Sequence, residues 1–271
     1  MSRLQVAIAG AHGRMGRVLL EAVASDSAMS LAAALVRPGS MLAGQDAGQL
    51  IGSPCGVRLS HEVAGALSGA DVLIDFTRPD ATLAHLAACS QLGINAVVGT
   101  TGFSSEQKAE IARFAEKMAI VFAPNMSIGV NLTLKLVAEA AQALGLNYDI
   151  EVFEAHHKLK VDAPSGTALR LGEVAAHARG QRLSEVAVYS REGQTGARTP
   201  GSIGFSVLRA GDIIGDHTVY FAGPGERIEI SHKSSSRDTY AQGALRAARF
   251  LADKKTGLFD MQDVLGLQGY M

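Results

Sequence analysis

Between Glu154 and Ala168 the chain reads EAHHKLKVDAPSGTA, which sets adjacent histidines and two nearby lysines just ahead of a Pro-Ser-Gly-Thr turn. Each residue type brings its own chemistry. An imidazole changes charge near neutral pH and suits proton transfer. A lysine crowded by other cations has its pKa lowered toward that of a working acid. If the stretch is extended, neighbouring side chains point to opposite faces, so His156, Lys158 and Lys160 share one side. Ser165, Gly166 and Thr167 stand where a helix is expected to begin, with Pro164 ahead of them. Hydroxyls and amides at such a start form a carboxylate cradle. The group is expected to grip a small dianionic substrate and to protonate a carbon or nitrogen as hydride arrives. No metal is expected, because neither an H-E-x-x-H helix nor cysteine partners accompany the histidines. A serine hydrolase is disfavoured, since no G-x-S-x-G elbow surrounds Ser165. A solvated basic face remains the alternative.

Such a site needs a hydride source, and the start of the chain supplies a candidate. Gly10, Ala11, His12, Gly13, Arg14, Met15 and Gly16 form a G-x-x-G-x-x-G turn between an apolar run and a helical one. A pyrophosphate needs close backbone approach, available N–H groups and the positive end of a helix, and such a turn offers all of these. An NAD-selective site usually places an acidic residue at the end of the second strand, to bond the ribose. Here that place holds Val36 followed by Arg37. A guanidinium pairs with a 2′-phosphate through its planar fork, and Arg14 adds a second cation. NADPH is therefore expected to serve at least as well as NADH, with a solvated loop charge the other reading of Arg37. Gly99, Thr100 and Thr101, and then Ala123, Pro124, Asn125 and Met126, close later strands on the same carboxyl edge, where ligands of open α/β sheets bind.

The elements that must position these residues are legible as apolar runs. LQVAIAG, LAAALV, ADVLIDFT, NAVVGTTGF and MAIVFAPN read as buried strands separated by helices around 14–25, 80–92 and 105–117. That alternation implies crossover units and a parallel, Rossmann-like sheet. After Asn125 the texture changes. A long helix runs through VNLTLKLVAEAAQAL, the strand DIEVFEAHH leads to the basic stretch, and a helix covers about 167–178. EVAVYSRE, SIGFSVLRAG, GDHTVYFAG and RIEISHKS follow, with Gly-rich junctions that suggest hairpins in a mostly antiparallel open sheet. The fold class is α/β, with a dinucleotide domain over 1–127 completed by 237–271. A second, α+β domain over 128–236 is expected to bind substrate.

Bulk composition narrows the partners. The 271 residues are 47% apolar and 19% charged, as in a globular chain. With 25 basic and 26 acidic side chains, no nucleic-acid partner is expected. Cys55 and Cys89 make no disulfide framework or metal spacing, which favours a reducing, cytoplasmic setting. No membrane span or signal-peptide layout is expected, because no run approaches the roughly 18 apolar residues a span needs.

The segments GAHGRMG, DFTRPDATLAHL, VVGTTGF, FAPNMSIGVN, EAHHKLKVDAPSGTA and GLFDMQDVLG, in this order, closely resemble the 4-hydroxy-tetrahydrodipicolinate (dihydrodipicolinate) reductases over nearly the whole chain. The H-H-x-x-K-x-D-A-P-S-G-T block is the most specific of them. The resemblance implies reduction of (2S,4S)-4-hydroxy-2,3,4,5-tetrahydrodipicolinate to tetrahydrodipicolinate and water with NADPH or NADH, on the diaminopimelate route to lysine. It implies His156 as proton donor and acceptor, Lys160 as proton donor, and His157, Gly166 and Thr167 as carboxylate holders. It further implies Gly10 to Met15, Gly99 to Thr101 and Ala123 to Met126 at the cofactor, with Arg37 at the 2′-phosphate. A homotetramer assembled through the second domain is implied as well. The chain departs from the family in one respect: members using both cofactors often carry a glutamate where Val36 stands. The rival readings are a Rossmann-type sugar or amino-acid dehydrogenase and a non-catalytic nucleotide sensor.

Overall fold

The computed structural model describes residues 2–267. Along its first half run β1 (Leu4–Ala9), α1 (Arg14–Ser25), β2 (Met29–Leu35), β3 (Leu59–Ser60), α2 (Val63–Leu67), β4 (Val72–Asp75), α3 (Pro79–Leu92), β5 (Asn95–Val98), α4 (Ser105–Ala115) and β6 (Ala119–Phe122). There follow α5 (Ile128–Leu144), β7 (Asp149–His156), α6 (Gly166–Ala178), α7 (Leu183–Val186), β8 (Ala187–Val188), β9 (Ile203–Arg209), β10 (Gly215–Gly223) and β11 (Glu226–Ser234). The last elements are α8 (Asp238–Leu251), β12 (Gly257–Phe259) and α9 (Met261–Leu265). Over the described residues the chain divides into two compact units: Gly129–Arg237 forms one, and the stretches 2–128 and 238–267 together form the other.

In the first unit the sheet order is β12-β6-β5-β4-β1-β2-β3, with every pair parallel. Successive residues of β1 feed opposite cores, as a two-residue period demands. Val6 and Ile8 pack with Leu19 and Val23 of α1 and with Ala244 and Leu245 of α8. Ala7 and Ala9 pack with Leu86 of α3 and Ile111 of α4. Helices on both faces explain why these strands are continuous apolar runs rather than alternating ones. The strand order reverses at β1, which pairs with β2 on one side and β4 on the other. A ligand crevice is expected at the carboxyl ends flanking such a reversal.

The second unit corrects an expectation. Its sheet, β11-β10-β7-β9-β8, is mixed rather than mostly antiparallel: β10 runs antiparallel to β11 and β7, whereas β9 runs parallel to β7 and β8. Gly223–Pro224–Gly225 does close a tight hairpin between β10 and β11. The glycine-rich segment between β9 and β10 closes none, because β7 lies between those strands. The chain reaches β9 from β7 through the α6 crossover, and only a long connection of that kind can return a strand parallel. EVAVYSRE also shrinks, yielding a helical turn and only the short β8. Helices α5 and α6 supply Val137, Ala141, Leu171 and Ala175 to a core with Ile150, Val152, Val219 and Phe221.

Candidate active site

Glu154 and His156 alternate with Phe153 and Ala155 along β7, so they stand on the same sheet face as Ile150 and Val152. At that end the core gives way to charge. Glu154 is fully buried, and its two oxygens accept from four donors. Arg209 at the end of β9 binds it through both Nη atoms, each at 2.8 Å. The Ser165 N–H donates to Oε1 at 2.9 Å, and His156 Nδ1 lies 2.6 Å from Oε2. Burial by itself would raise this carboxyl, but the hydrogen bonds from Arg209, His156 and Ser165 outweigh it and hold the pKa below the ordinary value. An ionised Glu154 only accepts, so the proton between the pair sits on Nδ1 of His156 and the tautomer is set. Nε2 is left for exchange with a ligand. The residue beside it is Gly215 of β10, where a Cβ would stand 3.1 Å from Nε2, so the glycine makes room for the ring.

His217 stands across from Glu154 on β10 and meets the His156 ring edge-on, at 5.2 Å between centroids. Burial, reinforced by the charge of His156, pulls its pKa down to about 4, so it is neutral at neutral pH. Its Nε2 lies 3.1 Å from Ser165 Oγ, and that oxygen also caps α6 by accepting from the Ala168 N–H. Ser165 is thus buried structure at the helix start. Gly166 is exposed, with open space where a Cβ would go, and Thr167 beside it is half-buried. A carboxylate can approach Gly166 closely. Nδ1 of His157 is buried without a partner, a donor or acceptor still to be matched.

Two expectations for the lysines are corrected. The strand ends at His156, and His157–Lys160 turns, with the Lys160 N–H bonded to the His157 carbonyl at 3.1 Å. The alternation that would align His156, Lys158 and Lys160 therefore does not apply, and Lys158 is exposed. Nor is Lys160 held among cations alone: its Nζ donates to both oxygens of Asp162, at 2.8 and 2.9 Å. These bonds keep the Asp162 carboxyl below its ordinary pKa.

In the first unit the glycine turn has the form a pyrophosphate requires. Gly10 adopts φ 65°, and the Gly13 N–H closes the turn onto the Gly10 carbonyl at 2.8 Å. A Cβ on Gly16 would lie 2.2 Å from that same carbonyl. Helix α1 starts after Gly13 with no side-chain cap and no acidic residue in its first turn, which leaves its end attractive to an anion. His12 carries a buried, unpartnered Nδ1. Arg14 and Arg37 are exposed, whereas Val36 is buried. Thr100 is buried, and Gly99 and Thr101 are more open. Of the remaining residues, Ala11, Ala123 and Met126 belong to the core, so only their backbone is available to a ligand; Pro124 is exposed, and Asn125 accepts from the Ser127 N–H.

Sequence reading missed Glu154, Arg209 and His217. The glutamate carried a signal, two residues ahead of His156 on a strand and hence on its face. Arg209 and His217 lie 55 and 52 residues from their partners, and nothing local marked them. Among the described residues no group of three His, Cys, Asp or Glu is placed to hold a metal, and no helix is long and apolar enough to cross a membrane.

Residues 4–126 match the family model for the N-terminus of dihydrodipicolinate reductase, and residues 129–265 match that for its C-terminus. A 4-hydroxy-tetrahydrodipicolinate reductase of Nitrosospira multiformis is 63% identical, covering 99% of this chain and 100% of its own. One from Cupriavidus necator is 62% identical over 98% of this chain and all of its own. A dipicolinate-bound dihydrodipicolinate reductase from Paenisporosarcina sp. TG-14 superposes with a TM-score of 0.78 at 25% identity, covering 96% of this chain and 98% of that one. GenD2 of gentamicin A biosynthesis, solved with NAD, shares the fold at a TM-score of 0.58 and 17% identity over 94% of this chain and 87% of its own. With both halves and the full length accounted for, the chain belongs to the dihydrodipicolinate reductases, enzymes of lysine and diaminopimelate synthesis that reduce 4-hydroxy-tetrahydrodipicolinate with a nicotinamide dinucleotide.

Proposed function

We propose that His156 and Lys160 handle the protons of this reduction, that His157, Gly166 and Thr167 hold the substrate carboxylates, and that the Gly10–Met15 turn holds the dinucleotide. The observation that carries the reading is the 2.6 Å pair between Glu154 and His156 Nδ1. It leaves one imidazole nitrogen to work and gives the positive form of the ring a counter-charge. When bound, the nicotinamide supplies the hydride. Loss of the 4-hydroxyl as water makes a conjugated imine, hydride adds at carbon 4, and the neighbouring electron-rich carbon then takes a proton. His156 Nε2 or the Lys160 ammonium gives that proton, and the other group restores the pair. Ser165 orders the start of α6 rather than touching substrate, since its side chain is spent on Ala168 and His217.

NADPH is the preferred cofactor in this reading, supported by the exposed Arg37 after a buried Val36 that cannot bond a ribose hydroxyl. A small dicarboxylate is the partner, in the cytoplasm, with neither nucleic acid nor membrane involved. The domain roles follow: the unit built around β1 binds dinucleotide, and the unit built around β7 binds substrate and carries assembly into a homotetramer. Exposed Leu208, on the face of the second sheet opposite the core packed by α5 and α6, supports that assembly.

The test is a steady-state assay with freshly generated substrate and each cofactor. Pyridine-2,6-dicarboxylate is expected to compete with substrate, and His156→Gln to lower kcat by about 100-fold or more. Oxidation of polyols at a comparable rate, or full turnover by His156→Gln, would defeat the reading.

A further inference from the structure

The segment DFTRPDATLAHL ends β4 and begins α3, and none of its polar side chains has a role above. Its Asp75 is fully buried, as is Thr82, and Thr100 is nearly so. Oδ1 of Asp75 accepts from the Thr77 N–H at 2.9 Å, the Thr77 hydroxyl at 2.6 Å and the Thr100 hydroxyl at 3.3 Å. Oδ2 lies 2.7 Å from His85 Nδ1. Thr100 Oγ1 in turn accepts from the Thr77 N–H and the Thr82 hydroxyl, both at 2.9 Å. The consequences spread to the neighbouring strand ends. Thr77 Cγ2 packs so near Gly10 that a Cβ there would be 2.9 Å away, and the Phe76 ring lies over Gly99 with 2.2 Å to the same imagined atom. One carboxylate thereby ties together the carboxyl ends of β1, β4 and β5, the edge where the dinucleotide is proposed to bind.

We infer that Asp75 is a positioning residue for the nicotinamide dinucleotide: it holds Thr77 and Thr100, and through them the Gly10 turn and the Gly99–Thr101 loop, in the form that receives the cofactor. The inference rests on the cofactor-site reading above. A carboxylate suits the task because an acceptor-only group can take several donors in a dry site without presenting an N–H of its own. A loosened Asp75 network would let the two loops move independently and charge their ordering against binding. The 2′-phosphate lies outside this effect, because Arg37 follows β2 and is not part of the network.

The variant to make is Asp75→Asn. Its amide oxygen can replace Oδ1, and its NH₂ can donate to His85 Nδ1 once that ring changes tautomer. Each contact then survives only as a weaker, neutral hydrogen bond, and the network holds the two loops less firmly. Thr82→Val, isosteric and on α3 rather than on either loop, removes one hydroxyl and serves if Asp75→Asn does not fold. Dissociation constants for NADPH and NADH are read by titration of the intact enzyme, together with binding stoichiometry. Asp75→Asn is expected to weaken both cofactors by the same factor, about 10-fold, at unchanged stoichiometry, with kcat at saturating cofactor within about 3-fold of the parent. Thr82→Val is expected to weaken both by about 3-fold. A purely structural role would lower stoichiometry or melting temperature and leave the constants alone, and that result overturns the inference. Arg37→Ala separates the two levels. If it weakens NADPH while Asp75→Asn and Thr82→Val change neither constant, only the role of Asp75 falls; if it too has no effect, the cofactor-site reading falls with it.

Discussion

Arg209→Met tests the idea that Glu154 works as an anion. The substitution keeps length and apolar bulk but removes both guanidinium bonds to Glu154, and with them bonds to the carbonyls of Asp162 at 2.6 Å and Leu208 at 2.8 Å. The carboxylate stays fully buried with only His156 and the Ser165 N–H as partners. Breaking a buried ion pair from one side costs about 3–5 kcal/mol. The Arg209 side chain keeps 19% exposure, so water screens part of the loss and the lower end applies. About 3 kcal/mol in a chain of this size lowers the melting temperature by about 6–12 °C. The pH dependence gives a sharper check. In the parent protein the folded pKa of Glu154 is depressed, so its contribution is complete above the unfolded value of about 4.3 and is lost as pH falls through the folded value. Without Arg209 burial dominates, the folded pKa rises above the unfolded one, and the variant's penalty is relieved as pH falls through that raised value. The melting gap between the two proteins should therefore be widest near pH 7 and narrow toward about pH 5. Calorimetric scans across that range settle it, with kcat of the variant expected to be about 10–100-fold lower. A gap of constant size from pH 7 to 5 would refute the claim that an ionised Glu154 depends on Arg209.

Lys160→Ala should cut turnover by about 100-fold while cofactor affinity survives; full turnover would remove the lysine from the mechanism. In Gly215→Ala the new Cβ would stand 3.1 Å from His156 Nε2, so kcat should fall by about 10-fold with little change in melting temperature, and unaltered kcat would mean that this nitrogen is not the working one. Arg37→Ala should raise the KM for NADPH by about 10-fold and leave that for NADH alone, whereas equal effects would return Arg37 to the solvent.

The five inner strands of the first unit were readable, because a parallel sheet covered on both faces must be written as short apolar runs and each run ends in its own turn. The short edge strands β3 and β12 carry too few apolar residues to announce themselves. The glycine turn was readable for a related reason. Gly10 and Gly16 answer backbone requirements that act within a few residues, and a local requirement leaves a local mark. The same holds for the start of α6 near Ser165 and for His156 as a residue on an extended face; that the Ser165 hydroxyl caps the helix emerged only from the structure. Pairing in the second sheet left no such mark. Whether β9 lies beside β7 or β10 depends on where the α6 crossover lands, and the same alternating strand satisfies either neighbour. Glu154 shows the limit most plainly: Arg209, which pairs with its carboxylate, and His217, which meets the Ser165 hydroxyl beside it, both lie more than fifty residues further along the chain. By its order of residue types the sequence determined which groups are available for proton transfer and anion binding. Which of them share one dry, hydrogen-bonded enclosure was decided only by the tertiary structure, because desolvation and pairing depend on distance in space and not on distance along the chain.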